Sequence, residues 1–383
     1  MEVNGLPTPG IIEFSITKNN FLSADTFTAK LAMGAMGSGS GPDYWATQVN
    51  IELNLTVNLT GQQSSQLLLG LVDKVSIDLA NGVCDVTGRD YTSLFIDHKT
   101  EEKFLNQTAS QIMTTLAKRR GLMTNIQTTT TLVNTYYGGE ATEVSNQETE
   151  WQLMSFLAKK ENFDLWVDGL TLNFQPKVDI DTATPYIISY DGTGSVPVSN
   201  TEKLTLERTL TLARDVIVKV NSWDHQFKRH NSAGRKKVHY ENVDDDEADV
   251  TTSTKKAKTP SSTARAPASP KFSKNTPQVY EFRAPGLSQA QVNALAEQKL
   301  AELSAHERKV QLTLPCDPSI TIRSILKVTG TNTDFDQSYY VDEITYHCGF
   351  EYGYQMTVNA KNSSPNQVIT VNGTLTTAEP EVD

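Results

Sequence analysis

Two runs of period-two alternation, Val75 to Ala80 and Val83 to Thr87, flank the dipeptide Asn81-Gly82. That dipeptide accepts the positive φ angles of a tight hairpin turn. No other feature constrains the fold as strongly, because of what the second strand runs into. The chain leaves the strand at Gly88 and reaches Thr108, which with Gln111 forms a capping box and predicts a helix start. Ile112, Met113, Leu116 and Ala117 give that helix an apolar face, and Gly121 supplies a left-handed end. A β-structure therefore passes directly into a small helical unit, with no catalytic motif at the join.

Strand patterns dominate on both sides of this segment. Before it, Ile11 to Thr17, Thr26 to Met33 and Gln48 to Leu59 alternate and are rich in Thr, Val and Ile. The glycine-rich stretch 34–42 lacks the Gly-Lys-Ser/Thr ending of a phosphate-binding loop, and no helix is expected to follow it, so it reads as a loop. Residues 1–89 are expected to form a first small barrel, closed or nearly so. Residues 90–198 make a middle α+β domain. Its second helix spans about Glu148 to Lys160, with Trp151, Met154, Leu157 and Ala158 on one face. A hairpin follows, turning at Asp168-Gly169 between Phe163–Val167 and Leu170–Gln175. Trp151 and Trp166 read as core or interface aromatics. Leu116-Ala117-Lys118 recurs as Leu157-Ala158-Lys159, a faint sign of internal duplication.

A second barrel is expected from residues 199–227 and 278–362. Its strands are Leu204 to Leu212, Asp215 to Trp223, Val279 to Arg283, Lys309 to Leu314, Ser324 to Thr329, Tyr339 to Tyr346 and Tyr352 to Ala360. A helix opening at Ser288, capped by Gln291, carries the stripe Val292, Leu295, Ala296, Leu300 and Leu303. Between the two parts, residues 228–277 hold eleven Lys or Arg and six Asp or Glu with almost no large apolar side chains. That composition cannot bury a core, so the segment reads as a flexible polar insertion. Residues 363–383 read as a terminal hairpin around Asn372-Gly373 or a tail. The fold class expected is α+β and β-rich, with two barrel domains around a helix-containing middle domain.

Several residues fall into an ordered set. Gly70, Val72, Asp73 and Val75 lie on one strand. Gly88, Arg89 and Asp90 end the next, and Asn106, Thr108, Ala109, Ser110 and Ile112 open the helix. Far downstream come Ala294, Leu303, Tyr340, Ile344 and His347, then Tyr352, Tyr354, Met356 and Val358. This set resembles the hub proteins of phage tail baseplates, the late control D family, which are similar to the hub portion of type VI secretion spikes. The chain departs from the pattern at Ser338, where a glycine is usual, and at Ile325, which replaces a Pro-Gly loop. The resemblance implies a homotrimeric ring of paired barrels that matches a three-fold central spike to a pseudo-six-fold tail tube. It implies tail tube or tail-tip proteins and other baseplate proteins as partners, with genomic DNA passing through without specific binding. It places the protein in the virion tail baseplate, assembled in the host cytoplasm. It leaves two alternatives open: a glycan-binding tail-tip module, in which the middle domain resembles lysin-motif domains, or the hub of a related contractile injection system.

Composition and motifs narrow the chemistry independently. A formal net charge of −11 over 383 residues argues against wholesale nucleic-acid binding. Cys84, Cys316 and Cys348 are dispersed and odd in number, which suits a reducing compartment. The polar start after Met1 shows no secretory signal, and the longest apolar stretch, Leu67 to Val72, is far too short for a membrane span, so no stable membrane insertion is expected. His225, His230 and His239 lack metal-ligand spacing. His347 and Cys348 are adjacent on a strand and so face opposite ways. No Gly-x-Ser-x-Gly, His-Glu-x-x-His or Walker motif occurs. Glu101-Glu102, Glu148 and Glu150 read as solvated helix starts. Asp73 and Asp90 read as turn or subunit contacts. No catalytic, cofactor-binding or metal residue is assigned, and the chain is not expected to be an enzyme.

Overall fold

The computed structural model describes residues 1–20, 22–36, 41–58, 64–100, 102, 104, 106–133, 149–180, 182–209, 216–224, 229–236, 278–283, 292–293, 295–296, 299, 308–350 and 353–362. The chain divides into two compact units, residues 1–209 with 305–363, and residues 210–304 with 364–383.

The larger unit is built on one sheet. Eight strands lie side by side, each antiparallel to the next: Lys203–Arg208, Arg308–Pro315, Gly353–Asn362, Ser338–Gly349, Ile11–Asn19, Thr26–Ala32, Val83–Asp90 and Ser65–Asp78. Glu52–Val57 follows Ser65–Asp78, and the two-residue strands Glu2–Val3 and Leu6–Pro7 finish that edge. In the other half, Ile325–Thr329 pairs with the first residues of Ser338–Gly349, and Tyr186–Asp191 runs parallel to it. Residues from the two ends of the chain thus make two half-sheets. They join where Glu343–Gly349 pairs with Glu13–Asn19.

The β-rich α+β class is as expected, but the sheet does not close among the described residues. Alternation tells which face of a strand is buried and leaves its edge partner undetermined. The buried face is continuous across the join: Leu312, Val358, Ile344, Ile16, Phe27 and Val86 belong to a single core. A short helix, Pro42–Thr47, follows the glycine stretch, contrary to expectation. Pro42 starts it, and it buries Trp45. Proline is well suited to a first helical position, a signal that the surrounding glycines mask in the sequence.

The middle domain packs two helices on a three-stranded sheet. Helix Ala109–Arg119 has the expected capping box, with Thr108 and Gln111 bonding each other's backbone N–H, and Gly121 follows with φ +75°. Helix Glu150–Glu161 carries a second box, Thr149 with Gln152, and stops at Asn162, which is left-handed. The hairpin Phe163–Asp168 and Thr171–Pro176 pairs as expected, and Met123–Ile126 adds a parallel strand. Ile112, Leu116, Met154, Leu157, Leu172 and Phe174 are fully buried between the layers.

In the smaller unit, Val216–Asp224 is flanked by Arg229–Lys236, antiparallel, and Gln278–Arg283, parallel. Val218, Val220, Val292 and Ala296 are its described core. Strands 216–224 and 278–283, assigned from sequence to the second barrel, thus pair in a sheet of their own. Strand 229–236 lies within the segment read as insertion. Residues 237–277 and 363–383, together with Ser288, Gln291, Ala294, Leu300 and Leu303, lie outside the described residues.

Candidate functional site

Side chains out of phase with the core form a second face on the eight-strand sheet. Its cross-strand register reads Lys203, Thr313, Thr357, Thr345, Thr17, Thr26, Arg89. Five adjacent strands therefore place threonine at one level, straight across the join between the half-sheets. The next row reads Gln355, His347, Ser15, Thr28, Thr87, Lys74, and the one below it Gly349, Glu13, Lys30, Asp85, Ser76. Threonine suits a pleated, partly exposed surface through its β-branch. What charge there is largely cancels: Lys30 Nζ lies 2.6 Å from Glu13 Oε1. His347 is exposed on this face and Cys348 is half-buried, so they do not share a site. The arrangement is a broad polar wall with a weak field and no group poised for chemistry.

The sequence signature sits at the edge of this wall, and its residues have packing reasons. A Cβ on Gly70 would stand 2.4 Å from the Arg89 carbonyl oxygen. One on Gly88 would stand 2.1 Å from that of Leu71 and 2.5 Å from the Phe27 ring. Two strands and an aromatic ring converge there, so glycine is needed without any positive φ. The register shifts between Val72 and Lys74, leaving Asp73 as a bulge residue. Asp73 accepts two hydrogen bonds from Arg89, at 2.6 and 2.8 Å, and Asp97 accepts two more at 3.1 and 2.9 Å. Asn106 has φ +54°, a conformation asparagine tolerates, just ahead of the Thr108 cap.

Below the signature, the sheet meets the middle domain. Asp90 is buried, and its carboxylate accepts from the Thr92 N–H at 3.2 Å and hydroxyl at 2.8 Å. Its own N–H donates to the Asp25 carbonyl, and the Asp25 carboxylate accepts from Asn19 N–H. Burial raises the Asp25 pKa to about 6 despite Lys18 nearby, and burial with the Asp25 charge raises Asp90 well above the carboxylate range. Lys18 Nζ also reaches Asp168, at 3.9 Å, on the tip of the middle-domain hairpin. On the other side, Arg323 stacks 4.7 Å from the centre of the Trp166 ring and donates to the Pro176 carbonyl at 2.7 Å. Trp151 donates from Nε1 to the Leu22 carbonyl at 2.6 Å. Both tryptophans are thus core and interface groups.

Glu150 departs from the solvated role expected of it. It is 1% exposed and accepts from Arg120 at 2.9 and 2.8 Å and from Arg119 at 3.4 Å. The first turn of one helix abuts the last turn of the other, where those arginines lie. Sequence spacing within either helix carries no trace of that pairing. Glu102 bonds Arg119 at 2.7 Å, whereas Glu101 and Glu148 lie outside the described residues. Beside the first helix, Ser110, Gln111, Thr114, Thr115, Ile126 and Thr128 line an open, uncharged groove. Thr114 and Thr115 donate their hydroxyl protons to helix carbonyls, leaving oxygen acceptors toward the groove.

Among the described residues, no group of three or more His, Cys, Asp or Glu is placed to hold a metal, and no helix is long and apolar enough to cross a membrane. His225 and His239 lie outside those residues.

No protein-family model matches the sequence, and no curated protein matches it. Solved structures do. A tail protein from Neisseria meningitidis matches over 94% of this chain and 95% of its own, with TM-score 0.64 at 12% identity. A 43 kDa prophage tail protein from Shewanella oneidensis matches over 94% and 96%, with TM-score 0.60 at 13% identity. A component of the Escherichia coli type VI secretion system, described as structurally similar to bacteriophage T4 tail proteins, matches over 96% and 78%, with TM-score 0.51 at 10% identity. The chain shares its fold with phage tail proteins and a type VI secretion component, in line with the resemblance in its sequence.

Proposed function

We propose that this chain is the structural hub of a phage tail baseplate, three copies of which form a ring joining the central spike to the tail tube and letting DNA pass. One observation carries the reading: a single chain supplies two half-sheets fused into one sheet that includes a run of eight strands each antiparallel to the next, with edges left open among the described residues and a nearly neutral polar face. Three copies would contribute three times eight strands. At ~4.8 Å per strand these span a circumference of ~115 Å, or a diameter of about 37 Å between backbones, more if the strands tilt. Inward side chains still leave room for a double helix. A wall of threonine, serine and glutamine offers phosphates neither a strong attraction nor a strong repulsion, as passage without specific binding requires. Among the described residues the strand Lys203–Arg208 pairs on one side only, with Arg308–Pro315, which offers its other side to a neighbouring copy, and its three charges discourage indiscriminate pairing.

In this reading residues 1–89 and the C-terminal strands are the two tube-like domains and residues 90–198 are the middle domain. The spike, the tail tube or tail-tip proteins and other baseplate proteins are the partners, the site of action is the virion tail after assembly in the host cytoplasm, and no catalysis is involved. Sedimentation equilibrium on the purified chain tests it: a trimer is expected, and a monomer at every concentration would overturn it. The fold shared with the type VI component favours a second reading, the hub of a related injection system. Purified particles carrying DNA-filled heads would favour the phage. The glycan-binding alternative has the neutral groove in its favour, but Trp151 and Trp166 are engaged elsewhere. Retention of the full chain on insoluble peptidoglycan would support it.

A further inference from the structure

The run of eight antiparallel strands ends in two stretches that pair on one side only among the described residues. At one end, Lys203–Arg208 pairs with Arg308–Pro315. At the other, Ser65–Asp78 is lined by Val83–Asp90, but Glu52–Val57 reaches only Leu71 on its outer side, and Ile51 takes the Val72 N–H. Residues 73–78 are left with that side open. Two other edges are guarded. Asn200 covers Tyr186–Asp191, accepting the Ser189 N–H at 3.0 Å and donating to the Ile187 carbonyl at 2.9 Å. Leu6–Pro7 has two residues, one of them proline.

The two open stretches fit each other. The first and last of eight alternating strands run in opposite directions, so a second copy set alongside continues the antiparallel order. Each stretch is six residues long. Laid together with core faces aligned, Leu204 falls opposite Ile77 and Leu206 opposite Val75. All four are only partly buried in the single chain, whereas Leu312 and Val358 inside the sheet are fully buried. On the polar face the same register puts Lys203 opposite Asp78 and Glu207 opposite Lys74, opposite charges both times. The offset is also that of a tilted barrel. Take Ile11–Asn19 as running upward: Lys203 is level with Thr17, Ser76 is level with Glu13 four residues lower, and Asp78 is two lower still. A fall of six residues across eight strands at ~4.8 Å is a tilt of about 28°, somewhat shallower than most barrels. Ala32, on the threonine face, donates its N–H to Gly10. For L-residues this sets Thr26–Ala32 to the right of Ile11–Asn19 seen from that face, so the sheet steps down toward the right. That step gives the right-handed coil of barrel strands when the threonine face is inside.

We propose that Lys203–Arg208 of one copy pairs, in this register, with residues 73–78 of the next, and that this joint closes the ring. The proposal rests on the ring reading and deepens it by naming the joint and turning the threonine face inward.

Thr205 and Ser76 fall opposite each other and are exposed in the single chain. Directly opposed Cα atoms lie ~4.5–5.5 Å apart, within disulfide reach, while within one chain seven strand spacings, ~34 Å, separate the two. Mild oxidation of full-length Thr205→Cys, Ser76→Cys should give covalent dimers and trimers on a denaturing gel. Each single variant, the control for Cys348, should stay monomeric there. Thr205→Cys, Lys74→Cys is one diagonal out of register, ~7–8 Å, and should not cross-link. A charge exchange tests the joint without cysteines. Glu207→Lys should weaken each joint about two- to fivefold in sedimentation equilibrium, and adding Lys74→Glu should restore it. A trimer that lacks the Thr205–Ser76 cross-link, or that cross-links the displaced pair equally, would overturn this joint and leave the ring standing. A monomer at every concentration would overturn both.

Discussion

The residues that mark this sequence most clearly are held in place by sterics and charge pairing. Gly88 lies under the Phe27 ring and against a neighbouring carbonyl. Gly88→Ala should therefore destabilise the protein by about 1–3 kcal/mol or more, the usual cost of overpacking. Gly34→Ala, with nothing near its Cβ, should stay within about 0.5 kcal/mol. Paired urea titrations would check both. Glu150 makes a second case. Glu150→Ala leaves Arg120 half-buried and unpaired, and a loss of about 3–5 kcal/mol is expected, as for other broken buried pairs. Asp25 adds a pH signature. Its pKa in the folded protein, about 6, is raised above 3.8, so the native state holds a proton that the unfolded chain releases. Its contribution is fully present below about pH 4 and is lost as pH rises through 6. The melting temperature should fall over that window, and Asp25→Asn should flatten the fall. The glycines and Arg89 were legible in the sequence as a pattern. Their reasons were not, because Phe27 and Asp97 reach them through folding, and spacing along one strand cannot reveal a ring stacked from another.

At the scale of elements, what could be read was local. The box at Thr108 and Gln111 was visible because both partners sit three residues apart. Thr149 and Gln152 repeat the pattern, but the acidic Glu148 and Glu150 beside them offer a competing helix-start signal. Thr149→Ala should cost about 1 kcal/mol, as N-cap losses do, with Thr108→Ala similar. Both are measurable as shifts in urea midpoint at constant slope. Edge partners were beyond reach for the opposite reason. Val216–Asp224 alternates as well as any strand of the main sheet, yet its neighbours are Arg229–Lys236 and Gln278–Arg283. Alternation records burial and says nothing of which edge is met.

At the scale of the whole molecule, the feature with consequences is the threonine row that crosses the join between half-sheets. Each threonine reads in isolation as an ordinary strand residue, and only the register brings Thr313, Thr357, Thr345, Thr17 and Thr26 to one level. If this face lines the ring, its near-neutrality is what lets a polyanion slide, and adding positive charge should make it stick. The double substitution Thr17→Lys and Thr357→Lys would place six new cations around a three-fold bore. Both positions are on the partly exposed face, so folding and ring assembly should survive. DNA release from assembled particles should slow at low ionic strength and recover in high salt, because phosphate contacts formed in the bore are weakened by added counterions. The check is release kinetics at two salt concentrations, beside an isosteric Thr17→Val, Thr357→Val control. Slowing in both variants would point to lost packing. Unchanged, salt-independent release in the lysine variant would mean that the threonine face lies away from the path of the nucleic acid.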